Sequence, residues 1–289
     1  MVNTCAHRDL VLKLYGLMSL VATTALWGSS FVFIKLSVME VSPYTYTFAR
    51  TAIASAILIP LVLLKARVRG VSVLGLKRGF ITGIVYSLGL CLQAAGTAYI
   101  DPSLSAFITG LSTIHVHLYS ALVLREYTKL DLVALSSAVG GLYVLTSPTG
   151  GFDIGEALVF AATFMWAAQI VLIARYRNSP MLEFLAGNFL AGLVFAPLAL
   201  HSGIEITTEA LLYLAYLALV CSVGATFFQV LGQRYVSPST ASLLFLLEPV
   251  FATVFSILCG LEEPQLHKVV GGGLILLSLF IVSVSEAKR

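Results

Sequence analysis

The stretch Gln93-Ala-Ala-Gly96-Thr-Ala-Tyr99-Ile-Asp-Pro102-Ser103 returns later in the chain as Gln229-Val-Leu-Gly232-Gln-Arg-Tyr235-Val-Ser-Pro238-Ser239. Gln, Gly, Tyr, Pro and Ser recur in the same spacing at an offset of 136 residues, and the register continues without a gap through Glu126 and Glu262, and Leu130 and Leu266. Upstream, Trp27 pairs with Trp166 at offset 139, and Ser42-Pro43 and Pro60 pair with Ser179-Pro180 and Pro197 at offset 137. One short insertion or deletion separates the two stretches. The chain is an internal duplication, and a duplication constrains the fold before any finer reading begins.

The content of each copy follows from composition. The 289 residues are 58% hydrophobic and 11% charged, with a mean hydropathy of +0.96. Soluble domains carry about 25% charged residues, so lipid must cover surface that this chain cannot cover with polar groups. In a bilayer every backbone group has to be satisfied internally, which leaves helices or a closed barrel. The apolar runs are roughly 18–25 residues long, which suits helices and not alternating strands of about 10. The spacing predicts helices over Leu14–Ser37, Tyr44–Leu64, Gly79–Ala98, Ser103–Leu124, Leu130–Thr146, Ile154–Ala174, Met181–Leu200, Leu211–Leu231, Thr240–Gly260 and Val269–Ser285. Five helices fall in each copy, and an odd number makes the second copy enter the membrane from the opposite side. The expected fold is therefore an all-α membrane protein of ten transmembrane helices, arranged as two inverted repeats over residues 1–147 and 148–289.

Charge supplies the orientation. With a cytoplasmic N-terminus, 14 of the 17 Lys and Arg residues fall on the cytoplasmic side. They include Arg8, Lys13, Lys65, Arg67, Arg69, Lys77 and Arg78, and at the far end Lys288 and Arg289. Lys35 and Lys268 fall outside and Arg50 within a helix, while acids such as Glu40, Asp101, Glu205 and Glu209 collect on the outer side. Both termini are expected in the cytoplasm. The first apolar run continues to about Val38, too long for a signal-peptide core, and it has an internal repeat mate. The net charge of +3 lies in loops that topology explains, so nucleic acid is not an expected partner. Cys5, Cys91, Cys221 and Cys259 show neither pairing nor metal spacing and read as small apolar residues.

Residues that carry the repeat also carry a resemblance. Ala25-Leu-Trp27-Gly28-Ser-Ser-Phe, the Ser42-Pro43 turn and Phe48-Ala-Arg50-Thr-Ala-Ile-Ala resemble the opening of an EamA unit. The Tyr-x-x-Pro-Ser entry to the fourth helix, the terminal acid Glu126, Glu248-Pro249-Val250-Phe251-Ala252 and Leu261-Glu262 match the same pattern. The chain is thus similar to the EamA type of the drug/metabolite transporter superfamily. The resemblance implies a central cavity lined by helices 1, 3, 4, 6, 8 and 9, with helices 5 and 10 peripheral, alternating access, and export of amino acids or related metabolites. The copies are not equivalent, since Gly187 stands where Arg50 does and Ser112-Thr113 where Glu248-Pro249 do.

Polar residues inside apolar helices mark the candidate site, because a charge in hydrocarbon costs about 2.5–3.5 kcal/mol unless it faces a cavity or partner. Glu248 lies near the middle of the ninth helix and is either a proton- or cation-coupling acid or a partner for a neighbouring helix. Arg50 needs an acid partner, an anionic ligand or a path outward for its long stem. Lys35 reads as a residue snorkelling to the interface or lining a basic vestibule. His115 and His117 stand about 200° apart on one helix, so they form no metal pair, and one of them can face the cavity. Trp27 and Trp166, Gln93 and Gln229, with Ser112, Gln169 and Asn188, either contact substrate or bond other helices. Gly140, Gly141, Gly271, Gly272 and Gly273 read as close-packing surfaces rather than a phosphate loop, which needs a strand before it and a lysine after it.

No cofactor or metal site is expected, and no Ser-His-Asp order, HExxH or CxxC appears. Inverted repeats let a protein exchange two related conformations, one open to each side. The expectation is a multi-pass secondary transporter in a prokaryotic plasma membrane, moving a small-molecule substrate outward and coupled, if at all, to protons. A channel-like facilitator and an intramembrane enzyme built on His115 and Glu248 are the alternatives.

Overall fold

The computed structural model describes residues 2–125, 128–146, 153–260 and 263–287. Glu126, Glu262, Lys288, Arg289, the division between residues 147 and 148, and the side chain of Cys5 lie outside the described residues. Among the described residues the chain is helical with no strand: α1 Val2–Glu40, α2 Pro43–Arg69, α3 Val73–Thr97, α4 Pro102–Leu124, α5 Lys129–Thr146, α6 Ile154–Arg175, α7 Met181–Ser202, α8 Thr208–Gly232, α9 Pro238–Leu258 and α10 Leu266–Ala287. Eight of them, α1–α4 and α6–α9, are long and apolar enough to cross a membrane, and α10 holds a shorter apolar run over Leu266–Ile281.

Local chemistry explains the helix starts. Ser42, Ser72, Thr207 and Ser237 accept hydrogen bonds from backbone N–H groups three residues on, at 3.1–3.2 Å, satisfying donors that a first turn leaves free. Pro43, Pro102 and Pro238 occupy first positions, where the missing N–H does no harm. The repeated Pro-Ser pair is thus the entry signal of α4 and α9.

Several boundaries differ from the sequence expectation. Helix α1 begins at Val2 rather than Leu14. The expected basic loop Lys65–Arg78 shrinks to Gly70-Val71-Ser72, because α2 runs to Arg69 and α3 begins at Val73. Arg67 and Arg69 lie in the last turn of α2, where cations complement the free carbonyls. Gly70 at φ 73° then ends the helix, a backbone angle that suits glycine.

Packing follows the duplication. Helix α3 packs on α6 and α7, α1 on α8 and α9, α2 on α7, α4 on α9, and α5 on α10. Exchanging the copies maps α3–α6 onto α8–α1 and each of the pairs α2–α7, α4–α9 and α5–α10 onto itself. Each of those self-mapped pairs is antiparallel. At one end of the α2–α7 pair Ser42 meets Ser202, and at the other Lys65 meets Glu183. Thr113 and Ser120 of α4 meet Ser242 and Ser239 of α9 in reversed order. Repeat mates running in opposite directions are what an inverted duplication requires.

The same glycine contact occurs twice. A Cβ on Gly96 of α3 would lie 2.5 Å from the Gly155 carbonyl of α6, and one on Gly232 of α8 would lie 2.8 Å from the Gly16 carbonyl of α1. Gly96 and Gly232 are mates at offset 136, and Gly16 and Gly155 at offset 139. Small residues let membrane helices approach backbone to backbone. Between α5 and α10, Gly141 and Gly271 behave in this way, whereas Gly140 and Gly273 have no atom within 4 Å, so the expected five-glycine surface is narrower than its sequence.

Outward faces carry large apolar side chains, among them Leu63, Leu122, Val123, Leu212 and Phe280, while the interior holds Ser and Thr bonded to their own helices. That distribution suits a lipid-facing exterior.

Candidate functional site

Helices α4 and α9 both break near their middles. Helix α9 is interrupted at Leu246 and resumes at Leu247, and α4 is interrupted at Leu111 and resumes at Ser112. Pro249 lacks the N–H that would bond the Phe245 carbonyl, so the break in α9 sacrifices no hydrogen bond there. Helix α4 breaks at the equivalent place with no proline. A Cβ on Gly110 would lie 3.1 Å from Leu246 Cδ2, so the two breaks face each other.

A cavity with about 490 Å³ of empty volume opens beside these breaks, between the two copies. Its aromatic walls are Trp27, Tyr86, Trp166 and Phe245. Trp27 lies 5.2 Å from Phe245 between ring centroids, and Tyr86 lies 5.6 Å from Trp166. Trp27 is pinned because its Nε1–H donates to the Cys221 carbonyl at 3.0 Å. That carbonyl belongs to a π-helical segment of α8, Leu217–Gly224, where the wider turn alters the normal backbone pairing.

Polar groups complete the lining. Gln93 donates to Thr109 at 2.9 Å, and Ser30, Ser112 and Gln169 also face the cavity. Arg50 is 2% exposed; its Nε–H donates to Ser222 Oγ at 2.6 Å and its Nη1 to the Tyr46 hydroxyl. Tyr86 donates to the same Ser222 oxygen at 3.0 Å. The offset of 136 makes Tyr86 and Ser222 repeat mates, so this contact lies where the copies meet. The sequence offered Arg50 an acid partner; its partners are hydroxyls. Glu248 faces the cavity with no hydrogen bond or ion pair to any described residue.

Of the residues singled out from sequence, the cavity gathers Trp27, Arg50, Gln93, Ser112, Trp166, Gln169 and Glu248. Gln229 reaches it indirectly, exchanging two amide hydrogen bonds with Gln169 at 2.8 and 2.9 Å. His115 lies elsewhere. It stacks on Phe164 at 4.1 Å, and its Nε2 is 2.9 Å from Thr163 Oγ1. The Thr163 proton goes to the Phe160 carbonyl, so His115 Nε2 is the donor. Asn188 is buried where α7 crosses Gly83 of α3, away from the lining.

Lys35 is absent from the cavity lining. Its ammonium donates to the carbonyls of Thr97, Ala98 and Ile100, each at 3.0 Å, and so caps the C-terminus of α3. Cys91 and Cys221 are buried as expected of small apolar residues, but Cys259 is exposed. Among the described residues no group of three His, Cys, Asp or Glu side chains could hold a metal.

Sequence reasoning missed Ser30, Tyr86, Thr109, Phe245, and the supporting pair Tyr46 and Ser222. One of these had a signal: Ser30 is the mate of Gln169 at offset 139. Helix α2 contributes Arg50 to a lining expected from α1, α3, α4, α6, α8 and α9, whereas α8 stands behind it through Ser222 and Gln229. Also unforeseen was Glu183, 1% exposed, which accepts from Lys65 at 2.6 and 2.8 Å and from the Ser72 backbone N–H.

These features define an integral, multi-pass membrane protein with a polar and aromatic cavity between duplicated halves. The profile of the EamA-like transporter family matches residues 14–147 and again 153–284. The chain belongs to that family, within the drug/metabolite transporter superfamily. An uncharacterized transporter of Archaeoglobus fulgidus is 30% identical over 280 residues, covering 95% of this chain and 87% of the relative. The uncharacterized transporter YoaV of Bacillus subtilis is 23% identical, covering 94% of this chain and 98% of the relative. A crystal structure at 18% identity superposes with a TM-score of 0.76, covering 96% of this chain and 99% of that one, which shows a shared fold.

Proposed function

We propose that the protein is a secondary transporter that exports small organic metabolites such as amino acids, by alternating access to the cavity between its halves. The observation that carries this reading is the cavity itself: aromatic walls, convergent polar groups and an acid with no partner among the described residues, where the two copies meet. In this account all ten helices cross the membrane, residues 1–147 and 148–289 form the inverted units, and both termini face the cytoplasm of a prokaryotic cell. Rocking of one unit against the other opens the site to each side in turn. Trp27, Arg50, Gln93, Ser112, Trp166, Gln169 and Glu248 contact substrate, and Gln229 orients Gln169.

Glu248 is the coupling group. A carboxyl in a cavity closed to bulk water favours its neutral form, and opening toward water favours ionisation. A proton taken up on one side is then released on the other. Among the described residues no partner competes for the acid. The test is flux in proteoliposomes across a metabolite panel. Saturable uptake that is accelerated by substrate on the far side supports the reading. Conductance without exchange would instead favour the facilitator, and chemical turnover without vectorial movement an enzyme.

A further inference from the structure

Arg50 presents a chemical problem that the fold leaves unsolved. A guanidinium stays charged under any physiological condition, and burying it without a counter-charge is costly. No carboxylate of a described residue lies within ion-pair distance of it. Two neutral hydroxyls, of Tyr46 and Ser222, occupy Nη1 and Nε. Guanidinium has five N–H donors in a planar fork, so up to three remain, including both on Nη2, on a side chain that lines the cavity.

The anchoring is too specific for a side chain that merely tolerates burial. Tyr46 holds one edge from the preceding turn of α2, and Ser222 holds the other from the π-helical segment of α8 in the opposite copy. Ser222 is itself held by Tyr86. The fork is therefore fixed before any ligand arrives, which lowers the cost of ordering on binding.

We propose that Arg50 is the receptor for a carboxylate on the transported molecule, and that Ser222 is the positioning residue that aims it. This rests on the cavity being the substrate site. Carboxylate fits better than phosphate for two reasons. Arg50 is the only cation among the described lining residues, and Glu248 in the same cavity opposes a dianion. A planar monoanion accepts two parallel N–H bonds from the fork, and the walls of Trp27, Trp166 and Phe245 suit an apolar body attached to it. Ser222 also links the receptor to the opposite copy, so a seated carboxylate strengthens a contact between the halves.

Both tryptophans of the chain line this cavity, so their emission reports its occupancy. The test titrates purified protein with benzoate and with benzamide, a neutral molecule of the same shape. Saturable benzoate binding about tenfold or more tighter than benzamide is expected, the scale of a charge-assisted hydrogen bond. Ser222→Ala should weaken benzoate about fivefold or more while leaving benzamide unchanged, and Ser222→Thr should restore most of the preference. Arg50→Gln should abolish it; if that variant does not fold, the Ser222 series still decides. Equal binding of the two probes, or no saturable benzoate binding, overturns the receptor. A preference that survives Ser222→Ala overturns the positioning role. Benzoate preference without flux of any carboxylate in liposomes sinks the transport reading and leaves the receptor standing. Saturable flux indifferent to a carboxylate does the reverse.

Discussion

Glu248 and Lys35 show how differently two charges in apolar helices are resolved. Glu248 faces the cavity with no partner among the described residues, and under the proposed function it acts on something that comes and goes. Glu248→Gln removes the titration but keeps the shape. Flux through the variant should become insensitive to pH, with folding unchanged by size-exclusion chromatography; flux that keeps the wild-type pH profile contradicts the coupling role. Lys35 is used within the fold, because three carbonyls at the end of α3 would otherwise lack donors. Lys35→Met should destabilise the protein by about 1–3 kcal/mol, the range for hydrogen bonds to a charged group, measured by unfolding in detergent micelles. Lys35→Arg should recover part of the loss. At this scale the sequence was informative about which residues line the cavity and poor about what they touch. A polar group in an apolar run announces itself, hence Trp27, Gln93 and Glu248. Whether a lysine bonds a helix end or points to water depends on chain ends brought near by the fold, and nothing local encodes that.

Helices pair through glycine, and the structure separates glycines that touch from those that do not. Gly96 and Gly155 meet across α3 and α6, whereas Gly140 on α5 faces open space. Gly96→Leu should cost about 2 kcal/mol or more through overpacking, and Gly140→Leu should leave the unfolding midpoint nearly unchanged. Equal effects would contradict the packing described here. The kinks carry a second lesson. Pro249 announces the break in α9, yet α4 breaks at the equivalent place opposite Ser112-Thr113. The break therefore belongs to the packing of the two helices on each other, and Pro249→Ala should retain the fold. The eight helices long and apolar enough to cross a membrane were legible, in order, from the apolar runs. Their ends were not, because Lys65, Arg67 and Arg69 look like a loop by charge but sit in the last turns of α2. Neither was the π-helical segment of α8, since Leu217–Gly224 is an ordinary apolar run by composition.

For the molecule as a whole, the duplication proved the most readable feature. It pairs α1 with α6 through to α5 with α10, and the antiparallel contacts of α2–α7, α4–α9 and α5–α10 follow that pairing. Asymmetry between the copies was readable only in part. The mismatch of Arg50 with Gly187 was visible, but not that Ser222 of the second copy would hold Arg50. An inverted arrangement places the α2–α3 turn near Val71 and the α7–α8 connection near Ile204 on opposite faces of the membrane. Single cysteines introduced there should react with an impermeant maleimide from opposite sides of oriented vesicles; labelling of both from one side contradicts the inversion.

On the proposed function the cavity carries a substrate across the membrane by exchange of the two halves. Counterflow in proteoliposomes is the decisive measurement. Vesicles loaded with an unlabelled metabolite should take up the same labelled metabolite faster than empty vesicles do, with saturation, and substitution of Trp27 together with Trp166 by alanine should weaken apparent affinity. Uptake that rises linearly with concentration, gains nothing from the internal load and ignores those substitutions would contradict it.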